Sequence, residues 1–346
     1  MALIDWAAVI AYVVFAIGVG LWYARRAGKD VDEFFLSGRT LPWWITGTSM
    51  IATSFASDTP LVVSGWVRDY GIWKNWLWWC YAVSGMFMVF LFARYWRAGR
   101  IMTKAELVEL RYPDGGAAGL RGALGFLHAL VINPWILCWV LLAASKIMGG
   151  LFDVDKLFGL SVACGLAMTY SLLAGFWGVV VTDLLQFVMA MVGAIALAVI
   201  AWQAVGGGDA VHAAVDAGTI DPDVVAMVPD VGADGISAAF AAFLVYMGVA
   251  WWAVKNSDGG AIAVQRIAAS KDERHGMLAS LWFHVGHYAL RPWAWIAVGV
   301  ASLLVLPSLE LTAPADGVVS GVDGGRVVMR AADGTTHALE AEGASD

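Results

Sequence analysis

The feature that most constrains this chain is a series of long apolar segments that recurs along most of its length. A helix that crosses the hydrocarbon core of a bilayer needs roughly 20 mostly apolar residues. Composition agrees with such spans, because 60% of the 346 residues are hydrophobic and only 14% are charged, whereas a soluble domain carries about 25% charged residues. Eight segments fit, near residues 4–24, 42–67, 73–95, 123–149, 156–176, 181–204, 236–256 and 277–306. The chain is therefore predicted to be an all-α polytopic membrane protein rather than a water-soluble globule.

Charged residues between these segments predict the orientation. Lys and Arg concentrate in residues 25–41, in residues 94–122 and after the seventh segment, whereas residues 205–235 contain six Asp and neither Lys nor Arg. Basic loops stay on the cytoplasmic side of a membrane. We therefore expect a multi-pass protein of the cell (inner) membrane, with its N-terminus outside and its basic loops in the cytoplasm. No basic stripe or nucleic-acid reader motif is present, so no nucleic-acid partner is expected.

The last residues have a different character. Short β-prone runs in 307–346 are separated by Asp323-Gly324-Gly325 and Asp333-Gly334, which are turn signals between strands. The predicted division is a transmembrane domain over 1–306 and an extracytoplasmic β-prone tail or insert over 307–346. A disordered acidic tail is the alternative.

Two of the predicted spans are interrupted. The second contains Ala52-Thr53-Ser54-Phe55-Ala56-Ser57-Asp58-Thr59-Pro60, and the seventh ends in Lys255-Asn256-Ser257-Asp258-Gly259-Gly260. Broken backbone at membrane depth persists only where it lines a cavity or is buried in protein. Interrupted spans at matching places in two half-repeats indicate a transporter binding site. The second and seventh spans are five apart, which fits a five-helix inverted repeat preceded by one extra helix.

Ionisable residues within the apolar segments strengthen this hypothesis, since charge inside a bilayer is costly and marks function. The candidates are Asp58, Asp183, Lys255, Asp258 and Arg291. The alternative interpretation of Asp183 is a position at the membrane interface. The alternative interpretation of Arg291 is a structural ion pair with an acid on a neighbouring helix. His284 and His287 share a helical face with Arg291, and for each histidine a hydrogen-bonded interior position is the competing interpretation.

Four ordered stretches resemble the sodium:solute symporter family, which includes sodium–sugar, sodium–proline and sodium–pantothenate carriers. They cover about 240 residues and together are specific. The stretches are Leu36-Ser37-Gly38-Arg39-Thr40-Leu41-Pro42-Trp43-Trp44; Gly47-Thr48-Ser49-Met50-Ile51-Ala52; Tyr170-Ser171-Leu172-Leu173-Ala174-Gly175 with Thr182-Asp183-Leu184-Leu185-Gln186; and Gln265-Arg266 with Ala268-Ala269-Ser270-Lys271-Asp272.

The resemblance implies a leucine-transporter-type fold that works by alternating access, with Na⁺ as coupling ion and no other cofactor or metal. It implies that backbone carbonyls of the broken second span hold Na⁺. The sodium-binding residues implied or predicted are Ala52, Phe55, Asp58, Thr182 and Asp183. The substrate-binding residues predicted are Thr59, Lys255, Asp258, His287 and Arg291.

The expected partners are Na⁺, the lipid bilayer and a small organic solute. The Asn- and Tyr-rich pattern of sugar carriers is absent from the seventh span, so a sugar is not expected. Arg291, Lys255 and the aromatic stretch Trp76-Leu77-Trp78-Trp79 favour a carboxylate-bearing or zwitterionic solute. The family completes its sodium site with a Ser/Thr pair on a ninth span, whereas this chain ends after the eighth. We therefore expect a truncated, N-terminal portion of the carrier that transports nothing by itself, the alternative being a protein that has lost half of its site.

Sodium-coupled symport is the function predicted, and other functions stay open. A proton-coupled carrier would use the same fold, and a transporter-like membrane domain can act as a sensor. A membrane enzyme would need a catalytic or metal-binding set, for which His128, His284 and His287 are the histidines of the apolar segments. A purely structural scaffold does not explain broken helices with aspartates. The chain is not predicted to be an enzyme.

Overall fold

The computed structural model describes residues 3–112, 115–152, 155–233, 235–253 and 260–305, together with 317–323, 326–331 and 336–339. Most of the described chain is helical, which confirms the predicted all-helical membrane architecture. The helices are α1 Leu3–Ala27, α2 Val31–Leu36, α3 Trp43–Thr53, α4 Asp58–Tyr70, α5 Ile72–Ala98, α6 Lys104–Arg111, α7 Ala117–Gly150, α8 Lys156–Ala204, α9 Gly207–Asp216, α10 Pro222–Val225, α11 Ala238–Ala253, α12 Gly260–Ala269 and α13 Glu273–Val305.

Five helices in the described part of the chain are long and apolar enough to cross a membrane, namely α1, α5, α7, α8 and α13. Helix α8 has 49 residues, which at 1.5 Å per residue is about 74 Å, more than twice the hydrocarbon thickness. Gly175 divides it, because its φ of 55° and ψ of −149° are not helical. The predicted fifth and sixth segments are therefore both present, but their boundary lies at Gly175 and not at the predicted 177–180.

The second segment is broken, as predicted. Helix α3 ends at Thr53 and α4 begins at Asp58. Pro60 was expected to contribute to the break, but it occupies the first turn of α4, where a missing N–H costs little. The break therefore results from the polar residues 54–57, whose side chains offer the backbone alternative hydrogen bonds.

Helix α13 packs along both halves of the broken span. A Cβ at Gly47 of α3 would lie 2.7 Å from the Ala279 carbonyl oxygen, and a Cβ at Gly299 would lie 2.9 Å from Cβ of Val67 in α4. Small residues let helix backbones approach closely in membranes. Because these glycines have no side chain, α13 packs closely against α3 before the break and against α4 after it, and so runs past the break.

A short parallel bridge joins the start of the second span to the end of α12. The Leu41 N–H donates to the Ala269 carbonyl oxygen (3.2 Å), and the Lys271 N–H donates to the Leu41 carbonyl oxygen (2.8 Å). Leu41, Ala268 and Ala269 belong to one buried apolar cluster with Phe176 of α8. The bridge and the apolar cluster together fix the positions of α3, α8 and α12 relative to one another near the break.

Residues beyond α13 form the three-stranded meander that the turn signals predict. Strands β1 Gly317–Asp323, β2 Arg326–Ala331 and β3 Thr336–Leu339 pair antiparallel in chain order. The register of β1 against β2 shifts between Val319 and Gly321.

Candidate functional site

The last turn of α3 is capped by a buried arginine. The Ile51 carbonyl oxygen accepts hydrogen bonds from Nη1 of Arg291 (3.1 Å) and from Oγ of Ser54 (2.8 Å). The next carbonyl, that of Ala52, accepts from the Phe55 N–H at 2.9 Å. A helix end leaves such carbonyls without intrahelical partners, and here the break supplies local ones.

Arg291 is almost completely buried, at 1% exposure. Its Nη1 also donates to Oγ of Ser54 (3.1 Å), and its guanidinium carbon lies 5.6 Å from the Phe55 ring centroid and 5.4 Å from that of Trp295. Aromatic faces attract cations at such distances. The Nε of Arg291 is buried and has no hydrogen-bond partner in the described structure.

His287 joins the same cluster, and its partners define its tautomer. Its Nδ1 lies 3.0 Å from Oγ of Ser54 and its Nε2 lies 3.5 Å from Nη2 of Arg291. Since a guanidinium only donates, Nε2 is the acceptor and Nδ1 carries the proton. Oγ of Ser54 then accepts from His287 and Arg291 while it donates to the Ile51 carbonyl.

A second buried cluster lies on the other side of α3, around Asp183 of α8. Oδ2 of Asp183 accepts from Oγ of Ser49 (2.5 Å) and Oγ1 of Thr53 (3.3 Å), and it pairs with Nη2 of Arg266 at 3.4 Å. The arginine also donates from Nε to Oγ of Ser49 (3.0 Å) and from Nη2 to Oγ1 of Thr53 (2.5 Å). Side-chain exposure is 5% for Arg266 and 11% for Asp183. The network ties α3, α8 and α12 together.

Asp58 begins the second half-helix. Its Oδ2 accepts from Nε1 of Trp139 on α7 (2.7 Å), whereas its Oδ1 is buried and finds no partner among the residues that the structure describes. The N–H of the neighbouring Thr59 donates to the Ala56 carbonyl oxygen at 3.2 Å. The start of α4 thus retains one unused carboxylate oxygen beside the break.

A cavity of about 320 Å³ adjoins the broken span. This volume is within the range of small-molecule sites. Helices α3, α5, α12 and α13 and the first residue of the break line it, and the lining residues are Met50, Thr53, Ser54, Tyr81, Ser84, Gly85, Met88, Ile262, Ala263, Phe283, His284, His287 and Tyr288. The wall is mostly apolar and aromatic, with hydroxyls and two imidazoles as its polar groups.

The ring nitrogens of His284 and His287 form hydrogen bonds with neighbouring residues. Nδ1 of His284 lies 2.7 Å from the Ser280 carbonyl oxygen and so donates to it, while Nδ1 of His287 is directed at Ser54 as above. No group of three or more His, Cys, Asp or Glu side chains comes together within the described ranges. The geometry of this pair is that of hydrogen-bonded cavity residues.

The structure separates the predicted site residues into groups. Asp183 lies in the arginine-paired cluster, and the neighbouring Thr182 donates from Oγ1 to the Gly178 carbonyl oxygen (2.9 Å). His287 lines the cavity, whereas Arg291 lies behind it against α3. Ala52, Phe55, Asp58 and Thr59 lie at the break, as predicted. Lys255 and Asp258 lie outside the described residues.

Three polar residues of the site received no role from the sequence, namely Ser49, Thr53 and Arg266. Ser49 and Thr53 are four residues apart and so share one face of α3. This spacing and the Gln265-Arg266 pair are the sequence features that could have identified the three residues as site candidates. The sequence does not show that the side chains of all three converge on Asp183.

A membrane-embedded helical bundle with a broken span, buried charges at the break and a cavity beside it has the architecture of a secondary transporter. The family model of the sodium:solute symporter family matches residues 34–291, and the chain belongs to that family. Its matched relatives are carriers rather than enzymes.

Two of these relatives indicate how far the similarity extends. The chain is 26% identical over 220 residues to the sodium/glucose cotransporter of Vibrio parahaemolyticus, covering 60% of this chain and 38% of that protein. It is 29% identical over 213 residues to sodium/myo-inositol cotransporter 2 of Oryctolagus cuniculus, covering 59% and 30% respectively. The similarity thus spans well under half the length of these relatives.

Among solved structures, a substrate-bound, outward-open Na⁺-coupled sialic acid symporter has a similar fold. The TM-score is 0.69 at 19% identity, covering 91% of this chain and 65% of that one. This likeness confirms a shared helical fold.

Proposed function

We propose that this protein carries out sodium-coupled symport of a small organic solute by alternating access. The observation that supports the proposal most directly is the break between α3 and α4, which borders a cavity with a few polar groups in a mostly apolar wall and is flanked by buried charges. Na⁺ is the coupling ion of the proposal, and no other cofactor is invoked.

The proposed sodium ligands are the carbonyls of Ala52 and Phe55 together with oxygens of Asp58, Thr182 and Asp183. Na⁺ is a hard cation that takes oxygen ligands, and carbonyls at a helix break supply them. Oδ1 of Asp58 is buried and has no hydrogen-bond partner among the described residues, which supports an acidic contribution at the break. The Asp183 carboxylate is paired with Arg266, so its use by Na⁺ would require that this pair open.

The proposed solute site is the cavity that His287 lines, with Thr59 at the start of α4 and, in the substrate set predicted from the sequence, Lys255, Asp258 and Arg291. The relatives are carriers of glucose and myo-inositol, and the structural neighbour carries sialic acid. The absence of the Asn- and Tyr-rich pattern of sugar carriers from the seventh span supports a carboxylate-bearing or zwitterionic solute rather than a sugar. Uptake competition among organic acids, amino acids and sugars tests this choice, and competition by sugars alone would contradict it.

The proposed topology has eight spans, with α3 and α4 forming the second and the halves of α8 forming the fifth and sixth. It is a leucine-transporter-type inverted repeat preceded by one extra helix. The N-terminus and the β-meander within 307–346 are placed outside, and the basic loops in the cytoplasm of the (inner) membrane. The transmembrane domain of this proposal is 1–306.

Na⁺-dependent labelling of a cysteine at Thr59 tests the function, in the longest form of the gene product. Cys80, Cys138 and Cys164 are first replaced, and Leu61→Cys on the same half-helix is the control. We expect Na⁺, but not K⁺, to change labelling at position 59 more than at position 61. Equal labelling in both salts would favour proton coupling or a sensor instead.

A further inference from the structure

The position of Arg291 has a consequence for the sodium site. Its guanidinium is held by the Ile51 carbonyl (3.1 Å), by Oγ of Ser54 (3.1 Å) and by the faces of Phe55 and Trp295. These contacts belong to the last turn of α3 and the first residues of the break. The guanidinium is therefore directed at the helix end, behind Ser54 and His287, and Arg291 is not among the residues that line the cavity.

The end of α3 attracts positive charge. The C-terminus of a helix carries about half a negative elementary charge, concentrated on the carbonyls of its last turn. The Ile51 carbonyl belongs to that turn and immediately precedes Ala52, whose carbonyl is a proposed Na⁺ ligand. A protein cation and a coupling ion are thus directed at neighbouring carbonyls of one helix end.

Among the described residues, no acid lies within ion-pair distance of the guanidinium, and Asp58 is the carboxylate that attracts it from further away. Asp183 is paired with a different arginine, Arg266. The charge of Arg291 is met by the Ile51 carbonyl, the Ser54 hydroxyl, Nε2 of His287 at 3.5 Å and two aromatic faces. Any Na⁺ that binds at the break therefore experiences like-charge repulsion from it, strengthened by the low dielectric of the interior.

We propose that Arg291 is an internal tethered cation that stabilises the Na⁺-free break and competes with Na⁺ for the C-terminal end of α3. This role rests on the proposed function, and it replaces the substrate-binding role assigned to Arg291 from the sequence. Arg291 is a positioning residue in this proposal: it sets the Na⁺ concentration at which the break fills, and it touches no solute.

The test measures thermal unfolding of the purified full-length protein as Na⁺ replaces choline at constant ionic strength. We expect Arg291→Gln to lower the Na⁺ concentration for half-maximal stabilisation about tenfold, equivalent to about 1.4 kcal/mol. Arg291→Lys, which retains the charge, is expected to remain within about twofold of the wild type, a difference of roughly 0.4 kcal/mol.

Arg68→Gln is the matched control. Arg68 also donates to a backbone carbonyl across the α4–α13 contact, that of Ser302 at 2.8 Å, but it lies at the far end of α4. We expect this substitution to leave the Na⁺ dependence unchanged, so that a general loosening of α13 can be recognised.

An unchanged or raised Na⁺ midpoint in Arg291→Gln would overturn the proposal. If that variant does not fold, Ser54→Ala decides, because it removes one acceptor of the guanidinium and is expected to lower the midpoint about twofold, and an unchanged midpoint would again refute the role. If neither the wild type nor Arg291→Gln responds to Na⁺, the sodium-coupled function fails as well. If Na⁺ stabilises Arg291→Gln but not the wild type, the result supports competition between Arg291 and Na⁺.

Discussion

Replacing Arg266 by methionine would leave the Asp183 carboxylate buried without its counter-charge. The two side chains are 5% and 11% exposed, and the guanidinium also donates to Ser49 and Thr53. Removing one partner of a buried ion pair costs about 3–5 kcal/mol, because the remaining charge stays desolvated. We expect Arg266→Met to destabilise the protein by about that amount.

The pairing itself is isolated by a double-mutant cycle. Asp183→Asn alone leaves Arg266 unneutralised and is also expected to be strongly destabilising, whereas the double variant removes both charges. The double variant should therefore be less destabilised than the two single variants added together, by about 2 kcal/mol or more.

Unfolding of the purified protein in micelles measures all four members of the cycle. Additive effects would refute the reasoning, since they would mean that the two groups contribute independently. A further readout connects the pair to sodium: with Arg266 removed, the carboxylate is free for a cation, and Na⁺ should stabilise Arg266→Met more than it stabilises the wild type. Stabilisation equal to that of the wild type would argue against Asp183 as a sodium ligand.

Two further predictions concern the glycine within α8 and the cap of α13. Gly175→Ala should destabilise the protein by about 1–3 kcal/mol, because φ is 55° there and a Cβ would lie 2.6 Å from the Phe34 carbonyl oxygen. The control in thermal unfolding is Gly193→Ala in the same helix, where nothing lies within 4 Å of an added Cβ, and equal losses of stability in the two variants would contradict the account. The hydrogen bond from the His275 N–H holds the pKa of Asp272 below its usual value, so the cap stabilises α13 at neutral pH and is lost as the pH falls through that lowered pKa. Asp272→Ala should therefore cost about 1 kcal/mol at pH 7 and progressively less below about pH 4, and a pH-independent difference in unfolding free energy would refute the charge effect.

The membrane architecture follows from local sequence alone, because hydropathy is a property of each span-length window of residues. Local sequence also specifies the break at 54–57 and the strands of the meander, since Ser, Asp, Gly and Pro act on the backbone within a few residues of themselves. The boundary at Gly175 was missed for a related reason: 156–204 is apolar throughout, and hydropathy does not register the conformation of one glycine.

Which polar groups meet depends on the packing of helices that are far apart in the sequence. Ser49 and Asp183 are 134 residues apart and Ile51 and Arg291 are 240 apart, and nothing local in the chain specifies these partners. The packing of α13 along α3 brings Arg291 to the end of a helix, where carbonyls and aromatic rings hold it, and not into the cavity. The packing of α8 and α12 against α3 gives Asp183 an arginine as its partner, because a buried charge pairs with the opposite charge that the fold brings within reach.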